Sequence, residues 1–285
     1  MDDEQWQGFT ITGHPSGVRV VTLNDSERLN VMTQGLKRDM VEMLIQAQND
    51  DGVRALLFTG AGRAFCAGDD VSGEYHAPAH APTRSNLLPP TGEQAIRRYA
   101  SLRTVSQALT RALRDFDKPT VAAVNGAAIQ SGLSLALGCD YRVASTTARL
   151  GSATLRFGYL PDEGGHYLLA EYLGAPRALE FLLQKKIVPA QEALRLGLVS
   201  EVVEPMDLME RAIAVTTELA EGPQVSMRLL KRALWRAAHG TLDDSLDDIA
   251  LRASLSDPHP DAAEGVAAFR ERRPPQFNRW LDEES

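Results

Sequence analysis

The residues best suited to chemistry lie where a buried strand turns into a helix. Pro119–Asp140 reads PTVAAVNGAAIQSGLSLALGCD. Thr120, Val121 and Val124 sit among alanines without a charge, which predicts a strand buried on both faces. The run breaks at Asn125-Gly126 and again at Ser131-Gly132, and Leu133–Leu137 has helical spacing, so Gln130-Ser131-Gly132 is expected to open a helix. First-turn N–H groups have no partner inside their helix and carry partial positive charge. Small residues there let a ligand oxygen come close, and donors fixed in that way stabilise a developing enolate. The competing reading is a buried strand–turn–helix whose glycines serve packing. A second glycine-punctuated loop, Gly60–Asp70 (GAGRAFCAGDD), leaves a short apolar strand and is also suited to presenting backbone N–H groups, although such a loop is usually only a turn.

The surrounding elements must position these loops. Phe9–Thr12, Val18–Leu23 and Val53–Thr59 read as strands, and Thr33 is a plausible N-cap for a helix to Asn49 with Leu36, Met40, Met43, Leu44 and Ala47 on one face. Gln94–Phe116 reads as one amphipathic helix, and Tyr141–Ala144, continued through 148–157, reads as strand. Helices are expected from about Tyr167, over Pro176–Leu183 and over Ala190–Leu196, and a strand over Val199–Val203. From Leu208 the chain is expected to be almost entirely helical, with spans 208–238, 241–254 and 261–272. This alternation predicts an α/β core over residues 1–205 and a helical region over 206–285. His76–Gly92, rich in proline and alanine, reads as a surface excursion or a lid.

Composition sets outer bounds. The 285 residues are 44% hydrophobic and 24% charged with net charge −8, the balance of an ordinary globular core. There is no lysine- or arginine-rich run, which argues against a nucleic-acid partner. No apolar run is long enough to span a bilayer, and the acidic start MDDEQWQG does not read as a secretory signal. Cys66 and Cys139 lack metal-ligand spacing and are expected to be buried free thiols in a reducing, cytoplasmic compartment.

Five segments in fixed order carry a resemblance. They are Ala64-Phe65-Cys66-Ala67-Gly68-Asp69-Asp70, Lys118–Gly126 (KPTVAAVNG), Cys139-Asp140, Gly158–Gly165 (GYLPDEGG) and Ala193–Val199 (ALRLGLV). Together they resemble the crotonase (enoyl-CoA hydratase/isomerase) superfamily, from about residue 10 to the 269–277 segment. The resemblance implies a spiral of ββα turns and a helical C-terminal region that assembles trimers, often paired into hexamers. It implies an acyl-CoA thioester as substrate, with coenzyme A as part of that substrate and no separate cofactor or metal. Carried over by position, the N–H groups of Asp69 and Ser131 would form the oxyanion hole, and the backbone of Ala67, Gly68 and Val71 would border the adenine pocket. The carboxylate of Asp69 would then have to point away from the enolate, because a second desolvated negative charge there costs several kcal/mol.

The chain departs from the hydratase pattern at two places. Where family hydratases carry two glutamates this sequence has Ser134 and Thr154. Adding water across a double bond needs an acid and a base with pKa values near the working pH, and unactivated hydroxyls cannot serve. Asp162 stands where dienoyl-CoA isomerases and the ring-epoxide isomerases of phenylacetyl-CoA carry an aspartate, so the resemblance implies a single acid/base for a double-bond or ring isomerisation. The competing role for Asp162 is to cap a helix beginning near Gly165. Glu163 is the reserve acid/base, expected otherwise to be solvated or paired; His166 is an accessory candidate, expected otherwise to be structural or exposed. Gln130, Ser134, Thr154 and Tyr159 are expected around the acyl pocket, and Cys66 is a candidate reactive thiol unless its apolar setting makes it inert. Arg270, Arg272 and Arg273 form a basic cluster that either approaches CoA phosphates or faces solvent. Two alternatives stay open: another enolate reaction (decarboxylation, thioester hydrolysis or C–C cleavage), and acyl-CoA binding without chemistry.

Overall fold

Two apolar runs, 55–60 and 120–124, are buried at every position, as strands with both faces covered must be. They lie side by side at the centre of the larger of two sheets. The structure, a computed structural model, describes residues 6–70 and 94–283. The insert at 76–92 and Val71 lie outside the described residues.

In chain order, β1 (Phe9–Gly13) and β2 (Val18–Leu23) form an antiparallel hairpin and lead into α1 (Gln34–Asn49). The Thr33 hydroxyl accepts from the Leu36 N–H at 3.1 Å, the expected cap. Then come β3 (Ala55–Gly60) and β4 (Ala64–Cys66), followed by α2 (Gln94–Ser101) and α3 (Gln107–Asp115). The last two are a single run with a π-helical turn at Leu102–Ser106. Next are β5 (Thr120–Val124), β6 (Ala127–Ile129) and α4 (Ser131–Gly138), then β7 (Tyr141–Ser145) and β8 (Arg149–Gly151). A 3₁₀ turn at Thr154–Phe157 precedes α5 (Gly165–Leu173) and α6 (Ala175–Leu183), β9 (Ile187–Pro189), α7 (Ala190–Arg195) and β10 (Glu201–Val203). The chain ends in α8 (Leu208–Glu221), α9 (Gln224–Ala237), α10 (Leu242–Ser256), α11 (Pro260–Glu271) and α12 (Trp280–Glu283).

The sheets run β1-β2-β3-β5-β7-β10 and β4-β6-β8-β9. Each of the pairs β3/β4, β5/β6 and β7/β8 gives one strand to each sheet before a helix closes the turn. That is the expected ββα spiral. One large apolar cluster lies inside it, centred on residues such as Phe58, Phe65, Val124, Leu133 and Leu150. A smaller cluster seats Leu208, Ala212 and Val215 of α8 on the outer face of β3, β5 and β7.

Several expectations are corrected. The 64–66 segment is a strand rather than loop, and β6 and β9 are further strands that periodicity did not show. Residues 154–157 form a 3₁₀ turn rather than strand. The single helix expected over 208–238 is two, broken at Gly222-Pro223, where proline removes a donor. No helix among the described residues is long and apolar enough to cross a membrane.

Candidate active site

Two backbone turns meet at the start of α4. A Cβ on Gly132 would lie 2.2 Å from the Cys66 carbonyl oxygen, and one on Gly68 would lie 3.1 Å from that of Ile129. The 66–69 loop therefore rests directly on the α4 N-terminus, and only residues without a side chain allow it. Gly68 also needs its left-handed φ of 103°. The loop is held from below: Ala67 N–H donates to Leu29 O at 3.0 Å and Met32 N–H to Gly68 O at 2.8 Å. Neither the Asp69 nor the Ser131 N–H donates to a backbone carbonyl among the described residues. Ser131 is the first residue of α4, so its N–H lies at the positive end of that helix. The Ser131 hydroxyl donates to Asp69 Oδ2 at 2.6 Å, which fixes the two turns side by side.

The charge on Asp69 is met inside the site. Lys37 of α1, only 4% exposed, pairs with Asp69 and donates to Ser106 Oγ at 3.1 Å. Asp69 is thus neutralised by Lys37, a balance the sequence reading did not contain. No sequence signal marks Lys37, a charged position between the apolar residues Leu36 and Met40 of α1. Arg28 pairs with the adjacent Asp70 at 2.6 Å.

Asp162 arrives from the other side, on the loop between the 3₁₀ turn and α5. The helix cap is Gly164, with a φ of 114°, so Asp162 is not the N-cap. Its backbone is braced by the helix run across the site: Gln107 Nε2 donates to Asp162 O at 3.0 Å, and Thr110 Oγ1 to Glu163 O at 2.7 Å. The Asp162 side chain is 27% exposed, with Arg98 at 3.6 Å. Partial burial, and then the Asp69 carboxylate, hold its pKa above the ordinary aspartate value; Lys37 and Arg98 pull the other way. Lys37, Gly68, Asp69, Gln130, Thr154 and Asp162 line one cleft of about 960 Å³, as do Ala67 and Tyr159. That volume suits a small-molecule site.

Other candidates fall elsewhere. Glu163 is not solvated, and among the described residues it is held by hydrogen bonds rather than an ion pair: it is 3% exposed and accepts from Ser134 Oγ and Gln130 Nε2. Burial raises its pKa against the opposing effect of those bonds. Ser131, Ser134 and Glu163 line a small cavity of about 10 Å³ that adjoins the cleft and shares Met32, Lys37 and Ser106 with its lining. Thr154 lines the cleft, and its buried hydroxyl has no hydrogen-bond partner among the described residues. Tyr159 is largely exposed at the rim rather than packed in the core. His166 is exposed, with Nδ1 3.1 Å from Pro161 O. Cys66 is fully buried and its thiol is pushed up to about 12, which leaves it an inert core residue. Arg273 is spent on Glu264 and Glu271, and Arg272 caps α11 with a left-handed backbone. The basic cluster does not line the cleft among the described residues of this chain.

The sequence matches the family model for enoyl-CoA hydratase/isomerase over residues 13–280. It is 35% identical to a 1,2-epoxyphenylacetyl-CoA isomerase from Escherichia coli, over 94% of this chain and 98% of the relative. It is 34% identical to a putative enoyl-CoA hydratase from Thermus thermophilus, over 91% and 97%. A putative enoyl-CoA hydratase structure from Streptomyces coelicolor superposes with a TM-score of 0.84 at 31% identity, over 96% of this chain and 95% of that one.

Proposed function

Because the chain belongs to the enoyl-CoA hydratase/isomerase family, we propose that it isomerises an acyl-CoA thioester through an enolate, with Asp162 as the single acid/base. One observation carries this reading. Asp162 and Asp69 line one cleft and Asp69 accepts from the Ser131 hydroxyl at the adjoining start of α4, while the positions that the family resemblance gives to the two hydratase glutamates hold the hydroxyls of Ser134 and Thr154.

The thioester carbonyl oxygen would accept from the Asp69 and Ser131 N–H groups. That withdraws electron density and acidifies the neighbouring C–H. The ionised Asp162 carboxylate removes a proton, the charge rests on the oxygen in the hole, and the protonated Asp162 returns the proton further along the conjugated system. The double bond moves, and no atom is gained or lost. A carboxylate with a raised pKa is a stronger base than a free aspartate, and its acid form is close enough in energy to return the proton. Lys37 keeps Asp69 from opposing the enolate charge. Thr154 lines the cleft where an oxygen-bearing or ring-bearing acyl group would lie, and its buried hydroxyl has no hydrogen-bond partner among the described residues. Coenzyme A belongs to the substrate in this reading, and the protein needs no cofactor of its own. We further propose that it works in the cytoplasm, as a trimer or a dimer of trimers.

The test is proton exchange in D₂O with saturated, 2-enoyl and 3-enoyl CoA thioesters, followed by mass spectrometry. Deuterium uptake or double-bond migration is expected, and Asp162→Asn should reduce it by about 1,000-fold, with thioester binding retained. A hydrated product would replace this reading with water addition, the activity in the names of several relatives. Carbon dioxide or free coenzyme A would point instead to another enolate reaction. Saturable binding without exchange would leave an acyl-CoA-binding role.

A further inference from the structure

Gln130 is the residue before the Ser131 donor, and its backbone is strained. Its φ of 50° and ψ of −110° lie in a region that glycine enters freely and a residue with a Cβ rarely does. The peptide between Gln130 and Ser131 carries the Ser131 N–H, so the ψ of Gln130 sets where that donor points. Something must hold this angle, and the structure shows what does. Gln130 N–H donates to Gly151 O at 2.9 Å, and Gln130 O accepts from Ser134 N–H at 2.9 Å. Its side-chain Oε1 accepts from Ser152 Oγ at 2.5 Å. Its Nε2 donates to both carboxylate oxygens of Glu163, at 2.9 and 2.8 Å.

Glu163 is itself immobilised. Its Oε1 accepts from Ser134 Oγ at 2.6 Å, and its backbone oxygen accepts from Thr110. A Cβ on Gly165 would lie 2.6 Å from that same Oε1, so nothing larger than glycine fits against the carboxylate. Glu163, like Ser131, lines the small cavity that adjoins the cleft.

We infer that Glu163 is a positioning residue: its carboxylate latches the Gln130 amide and so aims the Ser131 N–H at the thioester oxygen. The inference rests on the enolate reading above. It gives Gln130 a task besides lining the cleft, and it gives Glu163 a role other than that of reserve acid/base.

Three variants test it, read by kcat, KM and crystal structures. Glu163→Leu keeps most of the volume and removes the acceptor. It should lower kcat by about 100-fold with KM little changed, the scale of a lost oxyanion donor. Glu163→Gln can re-form the latch if the Gln130 amide turns over, since the Ser152 hydroxyl both donates and accepts; it should stay within about tenfold of the parent. Gln130→Gly combined with Glu163→Leu should recover to within about tenfold of the parent, because glycine enters the angle without strain and so needs no latch to reach it. The structure of Glu163→Leu should show Gln130 leaving positive φ, and that of the double variant should keep it.

A Glu163→Gln enzyme as inactive as Glu163→Leu would mean that ionisation matters, and would overturn the inference. So would a double variant that stays as inactive as Glu163→Leu. An unchanged Gln130 backbone in Glu163→Leu would overturn it regardless of activity. If the parent exchanged no proton on any thioester, the proposed function would fall, and the backbone angle in these structures would still decide the latch.

Discussion

Charged neighbours set the working range of Asp162 from opposite directions. Asp69 pushes its pKa up, and Lys37 and then Arg98 pull it down, all after the larger effect of burial. As a base Asp162 must be ionised, so activity should fall on the acid side as pH drops through its pKa. Removing the Asp69 charge in Asp69→Asn should move that acid limb to lower pH, the more so because Lys37 is then left unpaired. Removing the Arg98 charge in Arg98→Ala should move it to higher pH, by less, since Arg98 is mostly exposed and screened. A kcat/KM profile of the three proteins checks both signs, and shifts in one direction would contradict Asp162 as the titrating group. The residues named here differ in how far the sequence shows them. Asp69 and Asp162 stand in motifs of fixed order and Ser131 in the strand-to-helix turn between two of them, so all three are legible as candidates. Lys37 and Arg98 are not, because each becomes relevant only when its helix docks against a loop far away in the chain. Gln130 is legible as a loop residue, but neither its strained angle nor its bond to Glu163, 33 positions on, has a local signature.

Elements bring these residues together through close backbone contact, and Gly132 is the tightest point. It sits in the first turn of α4, where a Cβ would lie 2.2 Å from the Cys66 carbonyl oxygen and 2.8 Å from the Cys66 Cβ. Both Cys66 and the helix face are fully enclosed, so neither can move aside cheaply. Gly132→Ala should cost about 3 kcal/mol of stability, as overpacking does, and should part the two donor-bearing loops so that turnover falls more than stability requires. Chemical denaturation with parallel kinetics checks this; an alanine variant as stable and active as the parent would mean that the loops have slack. The same close packing explains which elements the sequence revealed. Segments such as α1, long and with one clear period, and β3, a continuous apolar run, are legible because their own side chains dictate them. The three-residue strands β4, β6 and β9 are too short to carry a period, and they exist because neighbours supply their hydrogen bonds. The π turn at Leu102–Ser106 was likewise hidden inside an ordinary amphipathic pattern, although it ends at the serine that meets Lys37.

The whole molecule leaves one large feature unexplained by a single chain. Leu230 and Leu234 lie one turn apart on α9, Leu242 and Leu246 one turn apart on α10, and Leu251 and Leu255 one turn further along it; all are more than half exposed. Phe269 on α11 is 85% exposed. Monomeric proteins rarely expose apolar rows of this extent, so the C-terminal helices are expected to be buried against other copies. Magnitudes say how much of the set is needed. Burying a leucine contributes about 1.5–3 kcal/mol, whereas association costs about 4–15 kcal/mol in lost freedom. Two leucines cannot hold a complex together, and the combined rows of three helices can. For the same reason two charges placed in the rows should break it. Light scattering on a sizing column is expected to give a trimer or a hexamer for the parent at micromolar concentration. Leu234→Asp with Leu255→Asp should shift it to monomer, because each aspartate would have to be buried without a partner. A parent that runs as a monomer would leave these rows to a different partner and would remove the assembly from the proposal. A double variant that stays assembled would move the interface to another face. In either case Lys37, Asp69, Gln130, Ser131 and Asp162 would still meet within one chain, so loss of assembly should spare the chemistry unless it frees the α2–α3 run that braces Asp162.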